Sequence, residues 1–233
     1  MNRILELIWY WCLVILPFTA ILTFILTLVV CSQAQRKSDL YQTTLPNISI
    51  LAKGPGYRYF VAGFVLLVPQ LLLITLGRLL FLLDSQTIVH RVILYIIHSC
   101  ALIISVFLLI MAIVSVDHNG PLHVTGAIGM FSSFFTYFIL HTIVVFYLFI
   151  RRAKAPRHSN ILLPLWFLMC CVLAIVCFSI WAATFQSIPQ YIAAGTPFLY
   201  VLGFIPQFWS QARMKRRSSV ASFEEHNIDR INL

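Results

Sequence analysis

Residues 116–141 read VDHNGPLHVTGAIGMFSSFFTYFILH, a polar cluster followed by a long apolar run. The cluster contains Asp117, His118 and His123, and the apolar run ends at His141. His123 and His141 are 18 residues apart, which is five whole turns of an α-helix, so one face carries both imidazoles. The rise between them is about 27 Å, close to the hydrocarbon thickness of a bilayer. The stretch therefore predicts a membrane-spanning helix with one imidazole at the membrane surface and another deep inside.

The composition of the whole chain also indicates a membrane protein. Of its 233 residues, 61% are hydrophobic and 10% are charged, whereas about 25% are charged in a typical soluble domain. Hydropathy predicts six spans, at about residues 8–31, 59–83, 89–114, 123–150, 161–183 and 191–209. The predicted fold is an all-α, polytopic six-transmembrane-helix bundle over residues 1–212. A basic, polar cytosolic tail follows over residues 213–233, and we expect it to be disordered.

The basic residues predict the orientation of the bundle. Of 16 lysine and arginine residues, 12 fall at the N-terminus, in the second and fourth loops or in the tail, and four fall in the other loops. Cytosolic segments carry the excess of positive charge, so both termini are predicted to be cytosolic. The polar cluster at Asp117 is then predicted to face the lumen or the exterior. The net charge of +9 thus reflects topology, and no nucleic-acid partner is predicted.

This orientation is directly testable with epitope tags at the two ends of the chain. We expect antibodies to reach both tags after selective permeabilisation of the plasma membrane, because both ends share the positively charged side. A tag inserted beside Asn119 is the control and should need permeabilised organelles. A terminal tag that also needs lumenal access would contradict the six-span topology.

The polar cluster of Asp117, His118 and His123 has several interpretations. It lacks the spacing of a helical zinc motif and any cysteine–histidine set, so we predict no metal and no cofactor. Nucleophilic catalysis needs a serine or cysteine beside a base. Ser49 is a candidate, but the sequence leaves its neighbours open, and no recognised catalytic motif supports an enzyme. The simplest alternative is a solvated turn at residues 119–121 that caps the helix.

Recognition of a lipid headgroup is a further interpretation, favoured by basic residues nearby. Arg58 opens the predicted second helix, where its planar guanidinium can hold a phosphate through two hydrogen bonds. Lys53 lies in a Gly-Pro loop and is expected to be solvated. We therefore expect Arg58 to matter more for function than Lys53.

Two histidines are predicted to lie at one depth inside the membrane. His98 is about nine residues from the start of the third span, and His141 is nine residues from the end of the fourth. The short loop between these spans predicts antiparallel neighbours, with both imidazoles about 13 Å from the membrane surface. Buried ionisable groups in membranes need a partner. They either contact each other, directly or through water, or each bonds a hydroxyl or carbonyl separately. In the first case, losing both should cost less than the sum of the single losses.

Other features predict packing or modification. The six cysteines lie in or beside apolar runs, and no structural disulfide is predicted. A stripe of small residues on the fourth span predicts close approach of a neighbouring helix: Gly126, Gly129, Ser133 and Thr136. Asn47 begins an Asn-Ile-Ser glycosylation sequon. Ser219 follows a basic run that resembles a kinase site, and the same run attracts anionic lipid.

Four short motifs carry a resemblance to a known family. They are LPNIS at residues 45–49, GYRY at 56–59, Asp117-His118, and HVTGA at 123–127. In order and placement they resemble the six-helix family of the damage-regulated autophagy modulators. That family includes the FGF-receptor-activating protein (post-GPI attachment to proteins factor two) and the N-terminal domain of cell-wall biogenesis protein forty-three. The resemblance covers roughly residues 5–212. It carries over, as candidate lipid- or headgroup-binding positions, Pro46, Ser49, Arg58 and His123.

The resemblance implies a function in membranes. The GYRY motif is more similar to the GPI-factor branch, which implies lipid remodelling of GPI anchors in the Golgi or endoplasmic reticulum. Membrane lipids, and GPI-anchored proteins or their lipid precursors, would then be the partners. The HVTGA motif also fits the autophagy-modulator branch, which implies a non-enzymatic regulator of autophagy or phosphoinositide signalling in lysosomal or plasma membranes. A third alternative is a small transporter that uses His98 and His141 as a proton relay.

Overall fold

A computed structural model describes residues 3–36 and 46–214, and within these ranges the chain is helical without strands. Six helices or helix pairs are long and apolar enough to cross a membrane. This confirms the prediction of an all-α polytopic membrane protein. The α-helices are α1 (Arg3–Arg36), α2 (Ile48–Leu51), α3 (Tyr57–Ser85), α4 (Arg91–Ile113), α5 (Val116–Ile150), α6 (Leu162–Thr184) and α7 (Ser187–Leu202), and residues 205–214 continue the last span. Two 3-10 turns occupy Gly54–Gly56 and Pro156–His158.

The six spans form a closed ring around a packed interior. Each span packs mainly against the next one in the chain, and α7 returns to α1. The rings of Trp11 and Trp209 meet edge to face at 5.0 Å, so the first and last spans are tied together where the described chain begins and ends. We call this the Arg157 end of the bundle, and the opposite end, which carries the α4–α5 connection, the Asp117 end.

The outer surface of the ring is apolar, as a lipid-facing surface must be. Large aliphatic side chains are exposed in the middle of the spans, among them Leu22, Leu102 and Ile143. The interior is aromatic: the rings of Phe138 and Tyr200 stack with centroids 4.0 Å apart, and both side chains are buried. Because lipid supplies no hydrogen bonds, the spans satisfy their backbone polar groups internally as helices.

α5 begins earlier than predicted, and it contains the expected turn. Asn119 has φ −149° and ψ 81°, outside the helical region. Its side-chain oxygen accepts a hydrogen bond from the backbone N–H of Leu122 at 3.1 Å, so Asn119 caps the helix that follows. Pro121 fits the first turn because its missing N–H has no helical partner there. One helical turn, residues 116–118, therefore precedes the turn that the sequence predicts.

Candidate functional site

An apolar cavity opens between the spans near the Asp117 end. Its cavity volume is about 50 Å³. Only two of its lining side chains are uncharged polar groups, Ser49 and Gln190, and the rest are apolar. The walls come from five spans: Phe24, Phe64, Leu67, Leu71, Leu108, Met111, Ala127, Met130, Phe131, Phe134, Ala194, Pro197 and Phe198, with Ile48 from α2. Such walls match a hydrocarbon chain.

The segment of residues 46–51 lies against this cavity and is fixed by hydrogen bonds to the last span. The backbone N–H of Ile48 donates to Gln190 Oε1 at 2.9 Å, and the Tyr191 hydroxyl donates to the carbonyl of Pro46 at 3.1 Å. From the first span, Gln35 Nε2 donates to the carbonyl of Ile50 at 3.1 Å. The short helix α2 is thereby held in a defined position although it has only four residues.

This position brings Ser49 beside His123. The imidazole is 1% exposed, and its Nδ1 lies 2.8 Å from the carbonyl oxygen of Val114. A carbonyl only accepts, so Nδ1 carries the proton and Nε2 is left as an acceptor. The hydroxyl Oγ of Ser49 lies 3.4 Å from that Nε2. The arrangement is a hydroxyl beside an oriented base, with a backbone carbonyl in the place that a carboxylate often takes.

The predicted polar cluster is divided by the structure into a buried and an exposed part. His123 is buried, whereas Asp117 and His118 are exposed. Asp117 forms an ion pair with Lys53 at 3.0 Å, a contact that the sequence did not predict, and the Lys53 side chain remains 37% exposed. Both partners are well exposed, and exposed pairs contribute little to stability. Arg58 is also exposed, at the first turn of α3.

A second polar group, missed by sequence reasoning, surrounds Arg78 inside the bundle. The sequence places Arg78 near the end of the second predicted span and counts it with the cytosolic charges, but its side chain is 0% exposed within α3. Without Arg78, 11 basic residues remain on the predicted cytosolic side against four on the opposite side, so the charge asymmetry persists. The guanidinium lies 5.0 Å from the ring centroid of Phe204 and 5.3 Å from that of Phe81. Within residues 3–36 and 46–214, no carboxylate forms an ion pair with it.

Arg78 starts a directed series of hydrogen bonds across the interior. Its Nε–H donates to His141 Nε2 at 2.8 Å, which fixes the proton of His141 on Nδ1. That Nδ1–H donates to the Tyr200 hydroxyl at 2.7 Å, and Tyr200 donates to the carbonyl of Phe138 at 3.3 Å. Arg78 Nη1 also donates to Gln207 Oε1. The series joins α3, α5 and α7, which alternate around the ring.

His98 and His141 lie side by side, with ring centroids 6.0 Å apart. The structure thus brings the predicted pair together at one depth, but without a direct hydrogen bond. His98 Nδ1 donates to the carbonyl of Leu94 in its own helix at 2.8 Å, and its buried Nε2 has no partner in the described chain. The polar partners of His141 are Arg78 and Tyr200 instead.

Comparison with known proteins fits this architecture. The sequence model of the Frag1/DRAM/Sfk1/Cwh43P N-terminal domain matches residues 7–211, which cover the first five spans and all but the last three residues of the sixth. The chain belongs to the Frag1/DRAM family. No curated protein and no solved structure matches the chain significantly.

The match places every element of the candidate site within the Frag1/DRAM domain, and the chain is an integral membrane protein. The domain offers no evident metal centre: across the described ranges, no three His, Cys, Asp or Glu residues are grouped closely enough to hold an ion. All six cysteines are free thiols.

The two predicted modification sites of this Frag1/DRAM protein differ in what surrounds them. The amide nitrogen of Asn47 donates to the carbonyl of Phe185 at 3.3 Å, so the sequon side chain takes part in the contact between the α6–α7 loop and segment 46–51. Ser219 lies outside the described residues, as does most of the basic tail.

At the Arg157 end, His158 is buried beside Ser85, whose Oγ lies 2.9 Å from its Nε2. Burial, followed by the positive charges of Arg78 and Arg157, lowers the pKa of His158 from 6.5 to about 4. The imidazole is therefore neutral in the folded protein at neutral pH. Arg157 itself pairs with Asp84 at 3.1 Å, which holds the connecting loop against α3.

The lowered pKa of His158 predicts an acid-sensitive fold. Between pH 6.5 and about 4 the unfolded chain binds a proton that the folded chain does not, so stability falls as pH falls through this window. We expect a loss of about 3 kcal/mol in unfolding free energy by pH 4. Thermal unfolding in detergent across this range should show a flatter pH profile for His158→Gln. The exposed His118→Gln serves as control, and an unchanged profile for His158→Gln would contradict the assignment.

Proposed function

We propose that this protein handles membrane lipids during the remodelling of GPI anchors in the Golgi or the endoplasmic reticulum. The observation that carries the proposal is the apolar cavity, whose lining includes the polar side chains of Ser49 and Gln190. A hydrocarbon chain matches its apolar walls, and a lipid's ester or hydroxyl groups match these two polar side chains. The partners are membrane lipids, together with GPI-anchored proteins or their lipid precursors.

Filling the cavity tests this proposal. In cells that lack the protein, surface GPI-anchored proteins are measured by flow cytometry and their cleaved forms in the medium, before and after re-expression. Ala127→Phe places a large ring in the cavity wall, whereas Ile128→Phe adds a ring on the exposed face of the same helix. We expect wild type and Ile128→Phe to restore surface GPI-anchored proteins, and Ala127→Phe to fail at equal expression and equal melting temperature. Equal rescue by both would overturn the role of the cavity.

The same assay separates the alternatives. Unchanged GPI-anchored proteins in the absence of the protein, with altered autophagic flux, would favour a regulator of autophagy or phosphoinositide signalling. The transporter alternative has less support from the geometry, because His98 and His141 share no hydrogen bond through which a proton would pass.

Arg58 is the candidate contact for a lipid phosphate. It is exposed at the first turn of α3, whereas the charge of Lys53 is already matched by Asp117. We expect Arg58→Ala to lower rescue of surface GPI-anchored proteins several-fold and Lys53→Ala to leave it within about twofold, since an exposed pair is weak. Arg58→Lys, which keeps the charge but loses the planar fork, should rescue partially. Equal rescue by the two alanine variants would remove the headgroup role of Arg58.

A further inference from the structure

The geometry points to Ser49 and His123 as a catalytic pair that transfers an acyl chain from one membrane lipid to another. This inference rests on the proposed lipid-handling function and assigns its chemistry. Three observations converge on it: Ser49 lines the apolar cavity, its hydroxyl lies 3.4 Å from His123 Nε2, and the bond from Nδ1 to a carbonyl leaves Nε2 as the acceptor of the neutral ring. A nucleophile, its base and a space for the acyl chain therefore meet at one place.

The base is held in a fixed orientation by its surroundings. His123 is buried, and the hydrogen bond from Nδ1 to the Val114 carbonyl fixes both its tautomer and its ring plane. The carbonyl can also stabilise the imidazolium that forms when Nε2 takes a proton. The distance of 3.4 Å from Ser49 is long, as it often is before a substrate binds. Ser49 is half-buried and lines the cavity.

Two half-reactions follow, with an ester lipid as donor and a lipid hydroxyl as acceptor. First, Ser49 Oγ attacks the ester carbonyl carbon while its proton passes to His123 Nε2. The carbon–oxygen bond to the donor lipid breaks, the departing oxygen takes the proton from Nε2, and the acyl chain remains on Ser49 as an ester. Second, the acceptor hydroxyl gives its proton to Nε2 and attacks that ester. Ser49 leaves and regains the proton, so no oxidant, reductant or cofactor is consumed.

Gln190 is placed to assist as a positioning residue. Its Oε1 is already engaged by the backbone N–H of Ile48, which leaves its amide N–H groups as the donors available to a developing oxyanion at the cavity. It also holds the segment that carries Ser49. A Gln190→Glu variant removes the donor while keeping the acceptor for Ile48. It should therefore slow acylation of Ser49, with some loss of melting temperature because the new carboxyl group is buried.

Covalent labelling tests the pair in the purified full chain. In nanodiscs, a fluorophosphonate probe should label the wild-type protein on Ser49, identified by peptide mass. Ser49→Ala should abolish labelling, while Ser132→Ala, an exposed serine on α5, should leave it unchanged. His123→Asn keeps a donor for the Val114 carbonyl but lacks the base, and it should slow labelling at least 100-fold. No labelling of Ser49 in folded wild type, or labelling indifferent to His123→Asn at an unchanged melting temperature, would overturn the proposal.

Transfer itself is measured with defined lipids. Nanodiscs of phosphatidylcholine with an isotope-labelled acyl chain, containing lysophosphatidylinositol, should yield labelled diacyl phosphatidylinositol with wild type and none with Ser49→Ala. In cells, rescue by Ser49→Ala together with failure of Ala127→Phe would refute acyl transfer and leave lipid handling standing. Rescue by both variants would refute both ideas. If neither variant rescues and Ser49 is labelled in the wild-type protein, acyl transfer and lipid handling are both supported.

Discussion

Replacing His141 with leucine is expected to destabilise the bundle by about 3–5 kcal/mol, the usual cost of stranding a buried charge. His141 Nε2 accepts from the buried Arg78, and its Nδ1 donates to Tyr200. Leucine leaves the guanidinium with Gln207 as its one remaining acceptor in the described chain. His98→Leu should cost less than about 1 kcal/mol, because His98 bonds only a carbonyl of its own helix, which keeps its helical partner.

Thermal unfolding in detergent of the two single variants and the double variant measures this difference. The double variant should lose about as much as the sum of the singles. This replaces the expectation, drawn from the sequence, that each histidine is the other's partner. If the double variant loses much less stability than the sum of the two single variants, the two rings are coupled after all. A His141→Gln variant, which restores an acceptor, should recover part of the stability.

Adding a single methyl group at Gly126 should also destabilise the bundle, though by less. A Cβ there would lie 2.8 Å from the backbone nitrogen of Met111, so α4 and α5 must separate to accommodate it. Overpacking of this kind costs about 1–3 kcal/mol for one group, and Gly126→Val should cost more. A lowered melting temperature and a lower yield of folded protein in detergent are the expected measurements.

Gly195→Ala is the matched control for this substitution. A Cβ at Gly195 meets nothing within 4 Å, and alanine is favoured over glycine in a helix interior by about 0.5–1 kcal/mol. We therefore expect opposite signs: Gly126→Ala lowers the melting temperature, and Gly195→Ala leaves it unchanged or raises it. Equal effects at the two positions would mean that the helix contact at Met111 adapts without cost.

Periodicity and hydropathy predicted the spans, the proximity of His98 and His141, and the close packing at Gly126. These follow from local rules, since a helix repeats every 3.6 residues and a short loop makes neighbours of two spans. The prediction that the stripe of small residues contacts a neighbouring helix was only half right. Gly126 and Gly129 contact α4 at Met111 and Phe107, but Thr136 faces outward.

Such local rules could not predict the candidate site. Ser49 and His123 are 74 residues apart, and hydrogen bonds to Gln35, Gln190 and Tyr191 decide where segment 46–51 lies. Arg78 was misplaced for a different reason. A charge near the end of an apolar run is ordinarily a loop residue, and only the acceptors His141 and Gln207, distant in sequence, show that it is buried.

The series from Arg78 through His141 to Tyr200 has a mechanical consequence. It clasps α3, α5 and α7, which do not adjoin one another in the ring, so these three spans cannot part from one another there without breaking buried hydrogen bonds. The cavity lies on the other side of this clasp, beneath segment 46–51. We therefore expect the spans to separate at the Asp117 end, and not at the Arg157 end, when a lipid chain enters.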